Sequence, residues 1–510
     1  MANYDEDEVY GQDDAVPAND ESLRDVVARA PWWMISIAVH AVLISIALFL
    51  AVPEPEPQKI AFLPAQLVDD VVPVPEPEDA FERQVETDTA LTEVAVHDSP
   101  VDSVTAEDPV DQPFEEPLGT SDATGSAPLQ GKLANTPIGL GAGAAGAFKG
   151  RGGKKGLGKN GGDKITEIRV ARALEWLDQH QDKDRGCWDS DDFQACCRKN
   201  TCSGRGGDGY DPGQTGLALL AFLGAGNTHQ NGRYKDTVQR GVRYLISVQD
   251  AAGCFGPQSG EYMYNHAIAA LAMAEAYGMT KSPLLNTAAQ RGIDFLVRAQ
   301  NPGLGWRYQS ASGENDTSVT GWAVMALKSA RVAELAVPVA AFAGARNWLD
   351  SVTDDQYYRT GYLQRGDRGS RLRDSARKFA AAESCTAISV MCRIFMGDER
   401  GDALLAGQGD ILSQNLPTWD TNGGPDGTSR LDYYYWYYGT LAMFQLGGDH
   451  WKSWNQAMKN ALVKHQREDG DEAGSWDPID AWGPAGGRVY ATAINVLSLE
   501  IYYRYDRAFK

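Results

Sequence analysis

The sequence predicts an all-α fold in which six helical hairpins close into an (α/α)6 toroid. Three observations predict this fold. A unit recurs from Thr166 onward, each unit contains a second apolar stretch of helical length, and these stretches lack the alternation of a half-buried strand. A single hairpin cannot bury its apolar face, so neighbouring hairpins must stack. Closing the row into a ring leaves a central cavity lined by the inner helices.

The first helix of each unit leads to a signature of glutamine, glycine and an aromatic residue. Four units carry the signature, and two degenerate units begin near Ala345 and Gly409, in the long gap that follows the third. The second stretches are rich in Ala, Leu and Met and lack internal proline, as inner helices require. The four pairs are Gln181 and Trp188, Gln249 and Phe255, Gln300 and Trp306, and Gln466 and Trp476.

This signature resembles the QW repeats of squalene-hopene cyclases and the related repeats of protein prenyltransferase β-subunits. The resemblance covers nearly all of residues 166–510 and implies the α/α toroid. In that family the Gln caps a neighbouring helix and the Trp ring stacks near it, which ties adjacent outer helices together. The resemblance therefore implies a structural role for the four pairs.

The catalytic motifs of that family are incomplete here. Squalene-hopene cyclases protonate an alkene with an Asp of an Asp-x-Asp-Asp-Thr motif, and such a step needs a carboxyl that is held neutral. The corresponding stretch has Asp316 and Thr317 in matching positions, but Asn315 stands where the proton donor is expected. Glu314 is one position away and is a possible substitute.

The zinc ligands of the prenyltransferases are also incomplete. Asp432 resembles the first ligand, but Tyr434 replaces the Cys, and no His precedes Thr492 at the expected place. We therefore expect no metal and no cofactor. Asp316 and Asp432 remain candidate catalytic acids for the alternative function, a terpenoid cyclase-like or polysaccharide-acting enzyme with a non-family acid.

Polar residues recur where the inner helices are expected to begin. The simplest interpretation is helix capping. The alternative is a ligand pocket that combines an aromatic wall with a few polar anchors. We therefore predict a binding or scaffolding toroid that holds an apolar, isoprenoid or peptide ligand, or a protein partner. The candidate cavity residues are His266, Thr317, Trp436, Tyr437, Tyr490 and Thr492, with Trp322 beside them.

The part of the chain before the repeats has four segments of distinct composition. Residues 1–30 form an acidic tail, and residues 31–52 contain no charged side chain and are long enough for a transmembrane helix. Residues 53–138 form a Pro/acid-rich disordered linker, and residues 139–162 form a Gly-rich basic linker. Arg24 and Arg29 precede the span, which favours a cytoplasmic N-terminus. We thus expect an inner-membrane protein with a single span and with the toroid, residues 163–510, in the periplasm.

Two polar residues within the expected span suggest a membrane partner. Ser36 and His40 lie four residues apart, on one helix face, and an ionisable group at that depth is a candidate functional site. With the Pro/Glu-rich spacer, this pattern resembles TonB-type energy transducers and implies contact with a motor subunit. A plain anchor helix is the alternative. The whole arrangement looks like membrane-anchored bacterial members of the squalene cyclase repeat family, typical of planctomycetes.

The net charge and the cysteines bear on two further questions, whether the chain binds nucleic acid and whether it forms disulfides. The net charge of -22 argues against nucleic acid as a partner, because phosphate backbones are bound by basic faces. Four of the seven cysteines fall in the loop of the first unit, with no Cys-x-x-Cys pair among them. An extracytoplasmic location permits disulfides. We therefore favour one or two disulfides in this loop, with Cys254 as a further partner, over a metal site.

Overall fold

The computed structural model describes His40 and residues 157–198, 202–368, 379–399, 401–421 and 428–505. Within these residues the chain is helical and forms no strand, only isolated bridges between single residue pairs. The prediction of an all-α fold is confirmed for this part of the chain. The chain divides into two compact units, Met1–Val74 and Pro75–Lys510, and all the helices given below belong to the second.

Six amphipathic helices form an outer layer. They are α1 (Lys164–Gln179), α3 (Lys235–Ser247), α5 (Pro283–Arg298), α7 (Val339–Val352), α9 (Ala403–Ser413) and α11 (Gly448–Val463). On α3, for example, Val238, Val242 and Leu245 are buried, and their spacing of four and three residues places them on one helix face. Each outer helix thus buries one face and leaves the other to solvent.

Six further helices form an inner layer. They are α2 (Asp211–Gly224), α4 (Tyr262–Thr280), α6 (Thr317–Val332), α8 (Ser384–Phe395), α10 (Tyr433–Leu446) and α12 (Gly483–Leu499), which is followed by the short helix α13 (Ile501–Arg504). All 14 residues of α10 are buried. A helix that is apolar on every side needs neighbours on every side, which an inner ring provides.

The inner helices form a closed ring. Each inner helix packs on the next one, and α12 packs on α2. A small residue permits the close approach of α2 and α4, since a Cβ on Gly216 would lie 3.0 Å from the backbone nitrogen of Ala269. In the outer layer, α1 packs on α11 and also on α12, so both layers close at the same seam between the last unit and the first.

The glutamines of the signature join successive units. The side-chain amide of Gln181 donates to the Thr237 carbonyl on α3 (3.0 Å), and that of Gln466 donates to the Arg169 carbonyl on α1 (2.8 Å). Gln249 and Gln300 make the equivalent bonds to α5 and α7. These carbonyls lie in the first two turns of the next outer helix. The glutamines therefore bond to the start of that helix and not to its last turn, where a C-cap would lie. Because Gln466 reaches α1, the same contact closes the ring.

The aromatic residues of the signature lie between the two layers. The indole N–H of Trp306 donates to the Leu296 carbonyl (2.7 Å), and its backbone N–H donates to the Thr320 hydroxyl on α6 (3.1 Å). Trp188 and Trp476 make the same two types of bond. The aromatic residue thus ties an outer helix to the inner helix of its own unit.

The predictions for the N-terminal segments concern residues that lie mostly outside the described part of the chain. His40 is helical and exposed, whereas Ser36 and the rest of the expected span are not described. Among the helices that are described, none is long and apolar enough to cross a membrane. The end of the Gly-rich linker belongs to the fold, because Asn160 donates to the Tyr502 carbonyl and accepts from the Trp451 indole. The folded region therefore begins before residue 163.

Candidate functional site

A cavity lies where the inner helices begin. It has an empty volume of about 670 Å³, part of which is open to solvent, and five of the six inner helices or the residues just before them contribute to its wall. Most of the wall is aromatic or aliphatic. The lining residues are Tyr210, Gly213, Gln214, Leu217, Tyr264, Asn265, Ile268, Trp322, Tyr434, Trp482, Ala485, Gly486 and Tyr490.

Few polar atoms on this wall are free to bind a ligand. The Asn265 amide donates to the Gly209 carbonyl (2.8 Å), and the Tyr264 hydroxyl is bonded to the Ser318 hydroxyl. The Gln214 amide nitrogen donates to the Gly486 carbonyl (2.9 Å), but its side-chain oxygen is buried and has no hydrogen-bond partner. The indole nitrogen of Trp322 is also buried without a partner, so the wall holds one unpaired acceptor and one unpaired donor on a mostly apolar surface.

Of the predicted cavity residues, Tyr490 and Trp322 line the cavity. His266 is not among the residues that line this cavity and is fully buried between the layers. Its Nδ1 accepts from the Phe255 backbone N–H (3.1 Å), and its Nε2 bonds to the Gly292 carbonyl (3.0 Å). Burial lowers the pKa of His266 to about 3, so the ring is neutral.

Four more residues were expected at the cavity and are not among those that line it: Thr317, Trp436, Tyr437 and Thr492. The Thr492 hydroxyl accepts from the Trp476 backbone N–H (3.4 Å), and the Thr317 hydroxyl donates to the Gly361 carbonyl (2.6 Å). Both hydroxyls thus bond to segments that connect successive helices. Trp436 and Tyr437 are buried behind the wall, where Tyr437 stacks on Trp322 with ring centroids 5.7 Å apart.

Asp316 is the N-cap of α6. Its Oδ1 accepts from the Val319 backbone N–H (2.8 Å) and from the Ser318 hydroxyl (3.1 Å), and the side chain is fully buried. Its Oδ2 has no hydrogen-bond partner and lies 4.0 Å from Arg307 Nε. Burial raises the pKa of Asp316 to about 6, against the lowering effect of these bonds. Asp316 is not part of the cavity wall.

Asp432 is the N-cap of α10 and adjoins the wall. Its Oδ1 accepts from the Tyr435 backbone N–H (2.8 Å) and from the indole N–H of Trp482 (3.1 Å), a residue that lines the cavity. Burial raises the pKa of Asp432 to about 6. The carboxyl thus contacts the back of the wall and not the cavity itself.

A second carboxyl, which the sequence analysis did not single out, is buried beside Asp432. Asp480 is 1% exposed, and its Oδ2 accepts from the Tyr433 backbone N–H (3.1 Å) and the Tyr490 hydroxyl (3.3 Å). Its other oxygen has no hydrogen-bond partner. Burial, and then the charge of Asp432, raise the pKa of Asp480 to about 8, so this acid is protonated at neutral pH.

Asp480 could have been found from a better estimate of where α12 begins. In the sequence, Gly-Pro-Ala-Gly-Gly over residues 483–487 is typical of a loop, and the apolar stretch of this unit starts only at Ala491. The helix instead begins at Gly483 and is kinked at Gly487, where φ is 67°. Asp480 and Trp482 therefore precede an inner helix, as Asp316 and Asp432 do.

The disulfides predicted in the first-unit loop are not formed. All seven cysteines are free thiols, and Cys254 is buried in the next unit. The sulfur atoms of Cys197 and Cys202 lie close to each other and to His180 in this loop.

The comparisons with known proteins agree with the repeats. Residues 155–262 match the family described as the squalene-hopene cyclase C-terminal domain. This match spans α1 to the start of α4, which includes the first two glutamine and aromatic pairs. The predicted resemblance to the squalene-hopene cyclase repeats is confirmed over this stretch. Among curated proteins no relative is found.

Several solved structures resemble the chain in fold at low identity. A type II terpene cyclase from Scytonema has a TM-score of 0.43 at 13% identity, over 66% of this chain and 97% of its own. An α-1,6-mannanase from Salegentibacter has a TM-score of 0.45 at 12% identity, over 67% and 99%. An α-amylase from Clostridium perfringens has a TM-score of 0.44 at 11% identity, over 66% and 98%. A fold does not by itself identify a function, so function has to be argued from the site.

Proposed function

We propose that this squalene-hopene cyclase-like helical ring is a binding protein that holds an apolar ligand of the isoprenoid class in its central cavity. The cavity wall carries the proposal. Six aromatic residues and the aliphatic side chains of Leu217, Ile268 and Ala485 line this space, which opens to solvent. The oxygen of Gln214 and the indole nitrogen of Trp322 are buried on this wall without a hydrogen-bond partner, and a single hydroxyl of such a ligand would pair with one of them.

The positions of the acids favour binding over the chemistry of the family. Asp316 caps α6 away from the wall, and Asp432 caps α10 behind Trp482. Asn315 stands where a cyclase of this family needs its acid, and its side-chain oxygen accepts from the Asn301 amide (3.0 Å). A capping carboxylate stabilises its helix whether or not a ligand is present, so none of these residues needs a catalytic role.

Copurification of the ligand with the full-length protein tests this proposal. Native mass spectrometry before and after organic extraction should show an adduct of isoprenoid or lipid mass that the extraction removes. Ile268→Trp places a larger side chain in the cavity and should abolish the adduct. Ile165→Trp changes an isoleucine that is 55% exposed on α1, and should retain it. An adduct that persists in Ile268→Trp, or none in the wild type, contradicts a cavity ligand.

A second candidate function is acid-assisted chemistry on the bound molecule, with a non-family acid. The observation that favours it is Asp480, which is protonated at neutral pH and bonded to the cavity residue Tyr490. For a proton to pass to the cavity, the Tyr490 hydroxyl, which donates to Asp480 in the structure, would have to give its own proton to the ligand and take the carboxyl proton in return. If this is the function, a ligand that survives in Asp480→Asn should be converted only by the wild type. Ligands that are identical in mass and in chromatographic retention after extraction from both proteins contradict it, since a cyclisation changes the retention but not the mass.

The predicted membrane anchor adds a location to the proposed function. We expect residues 31–52 to anchor the protein in the inner membrane with the toroid in the periplasm, and Ser36 and His40 to contact a motor subunit. Digestion of the toroid by protease added to spheroplasts, but not to intact cells, is the expected result. Protection of the toroid in spheroplasts contradicts this orientation.

A further inference from the structure

An imidazole and two thiols meet in the loop that follows α1. His180 is the C-cap residue of α1, Cys197 follows the short 3-10 turn Phe193–Cys196, and Cys202 lies five residues further on. His180 Nε2 is 3.4 Å from the Cys202 sulfur and 3.6 Å from the Cys197 sulfur. All three ligand atoms lie within 4.8 Å of one another.

These separations are those of ligands around one tetrahedral zinc ion. With Zn–S near 2.3 Å and Zn–N near 2.0 Å, tetrahedral angles place a nitrogen and a sulfur ligand about 3.6 Å apart. The two measured nitrogen-to-sulfur distances agree with this value to within about 0.2 Å. Such a mixture of thiolate and imidazole ligands favours zinc over magnesium or calcium, which prefer oxygen.

The imidazole is held as a metal-binding histidine would be. His180 Nδ1 is 2.8 Å from the Trp176 carbonyl, so Nδ1 carries the proton and the lone pair of Nε2 faces the two sulfurs. The ring stacks on the indole of Trp176, with centroids 4.2 Å apart. A backbone acceptor on the second ring nitrogen fixes both the tautomer and the orientation of metal-bound histidines.

Burial raises the pKa of the Cys202 thiol, so its thiolate forms when a metal displaces the proton, and two nearby groups offset part of this cost. The Cys202 backbone N–H donates to the Cys197 sulfur (3.3 Å). The fully buried guanidinium of Arg488 donates through Nε to the carbonyl of the next residue, Ser203 (2.8 Å), and is itself paired with Glu472 and Asp477. A donor and a nearby cation both stabilise the charged form that binds a metal.

We propose that His180, Cys197 and Cys202 bind one zinc ion. In the described part of the chain, no fourth His, Cys, Asp or Glu atom joins this cluster. Three protein ligands leave the fourth tetrahedral position to water. The sequence spacing hid this site, because its third ligand comes from the end of a helix 17 residues before Cys197.

Although an open fourth position is typical of catalytic zinc, the location of the cluster points to a role in stabilising the fold. The loop after Cys202 bonds to the last unit, where the Arg488 backbone N–H donates to the Gly204 carbonyl and the Gly207 N–H donates to the Ala485 carbonyl (both 2.8 Å). The loop then leads to Tyr210, in the wall of the cavity. Zinc would therefore hold the segment that joins the first unit to the last and completes the wall.

Cobalt substitution of the full-length protein, reduced and stripped of metal by a chelator, tests the site. Titration with Co²⁺ should end at one equivalent and give both the visible bands of tetrahedral cobalt and a thiolate charge-transfer band. Zinc should abolish both and should raise the melting temperature. Cys202→Ser should lose at least ten-fold in zinc affinity, whereas the adjacent control Cys196→Ser should bind as the wild type does.

Several results would overturn the proposal. They are the absence of tetrahedral cobalt bands in the reduced wild type, unchanged zinc affinity in Cys202→Ser, or a Cys197–Cys202 disulfide in the protein as isolated from its host. The wild-type titration decides the question even if Cys202→Ser fails to fold. Circular dichroism of each variant shows whether it has folded.

Discussion

The protonation of Asp480 gives a prediction that can be worked through in numbers. Burial and the charge of Asp432 raise the pKa of Asp480 to about 8, from 3.8 for the free side chain. The folded protein therefore holds a proton that the unfolded chain releases. The stabilisation from this proton is complete below pH 3.8 and is lost as the pH rises towards 8.

One such proton changes the free energy of unfolding by about 1.4 kcal/mol per pH unit within that window. From pH 6 to pH 7.5 the wild type should thus lose about 2 kcal/mol through Asp480. Asp480→Asn removes the titration but keeps an oxygen for the bonds from the Tyr433 N–H and the Tyr490 hydroxyl. The variant should therefore lose about 2 kcal/mol less than the wild type over the same interval.

Urea unfolding followed by circular dichroism at four pH values measures this difference directly. Asp449→Asn is the matched control, because that side chain is 96% exposed, and its curve should run parallel to the wild-type curve. Parallel curves for Asp480→Asn and the wild type between pH 6 and pH 7.5 would refute the reasoning. They would mean that Asp480 is ionised in the folded protein and that the cavity wall is backed by a charge.

Three further predictions concern the ring itself. Gln466→Ala removes the two hydrogen bonds of this side chain at the ring seam and should lower the free energy of unfolding in urea by about 2 kcal/mol. Gln249→Ala removes the equivalent bonds inside the ring and should have a similar effect. A negligible effect of Gln466→Ala would mean that the seam does not depend on this glutamine. Gly439→Ala should destabilise by about 1–3 kcal/mol despite the better helix propensity of alanine, because its Cβ would lie 2.2 Å from the Trp454 ring. A raised melting temperature would show that the ring can move aside. Asp316→Asn should keep the stability of the wild type while Asp316→Ala loses about 1 kcal/mol, because asparagine also caps helices. Equal losses in both would show that the charge of Asp316 matters and not its cap.

The layered helical fold could be predicted because its signals are local and repeated. The spacing of apolar residues gave the helices, and the glutamine and aromatic pairs marked the units. The contact from Gln466 to α1 has the same form as the contact from Gln181 to α3. Ring closure therefore follows from one repeated interaction, which a sequence can reveal without any knowledge of distances.

The cavity wall could not be predicted in the same way. In the stretch Tyr433–Tyr438 every residue is aromatic, so the sequence gives no phase for the helix. In the structure Tyr434 lines the cavity, while Trp436 and Tyr437 pack behind it. The kink at Gly487 had a similar effect, because it hid the start of α12 and with it Asp480.

Polar residues at the starts of the inner helices are required by the architecture itself. Thr215, Thr320 and Thr492 each accept a backbone N–H from the aromatic residue of their unit, and His266 does the same for Phe255. A buried N–H without a partner would cost about 1–3 kcal/mol, so every unit needs an acceptor at this point. Polarity there is thus no evidence of chemistry. Asp480 differs from these residues because one of its oxygens is buried beside a second acid and has no hydrogen-bond partner. Helix packing does not require such a buried carboxyl, so Asp480 is the acid to test first.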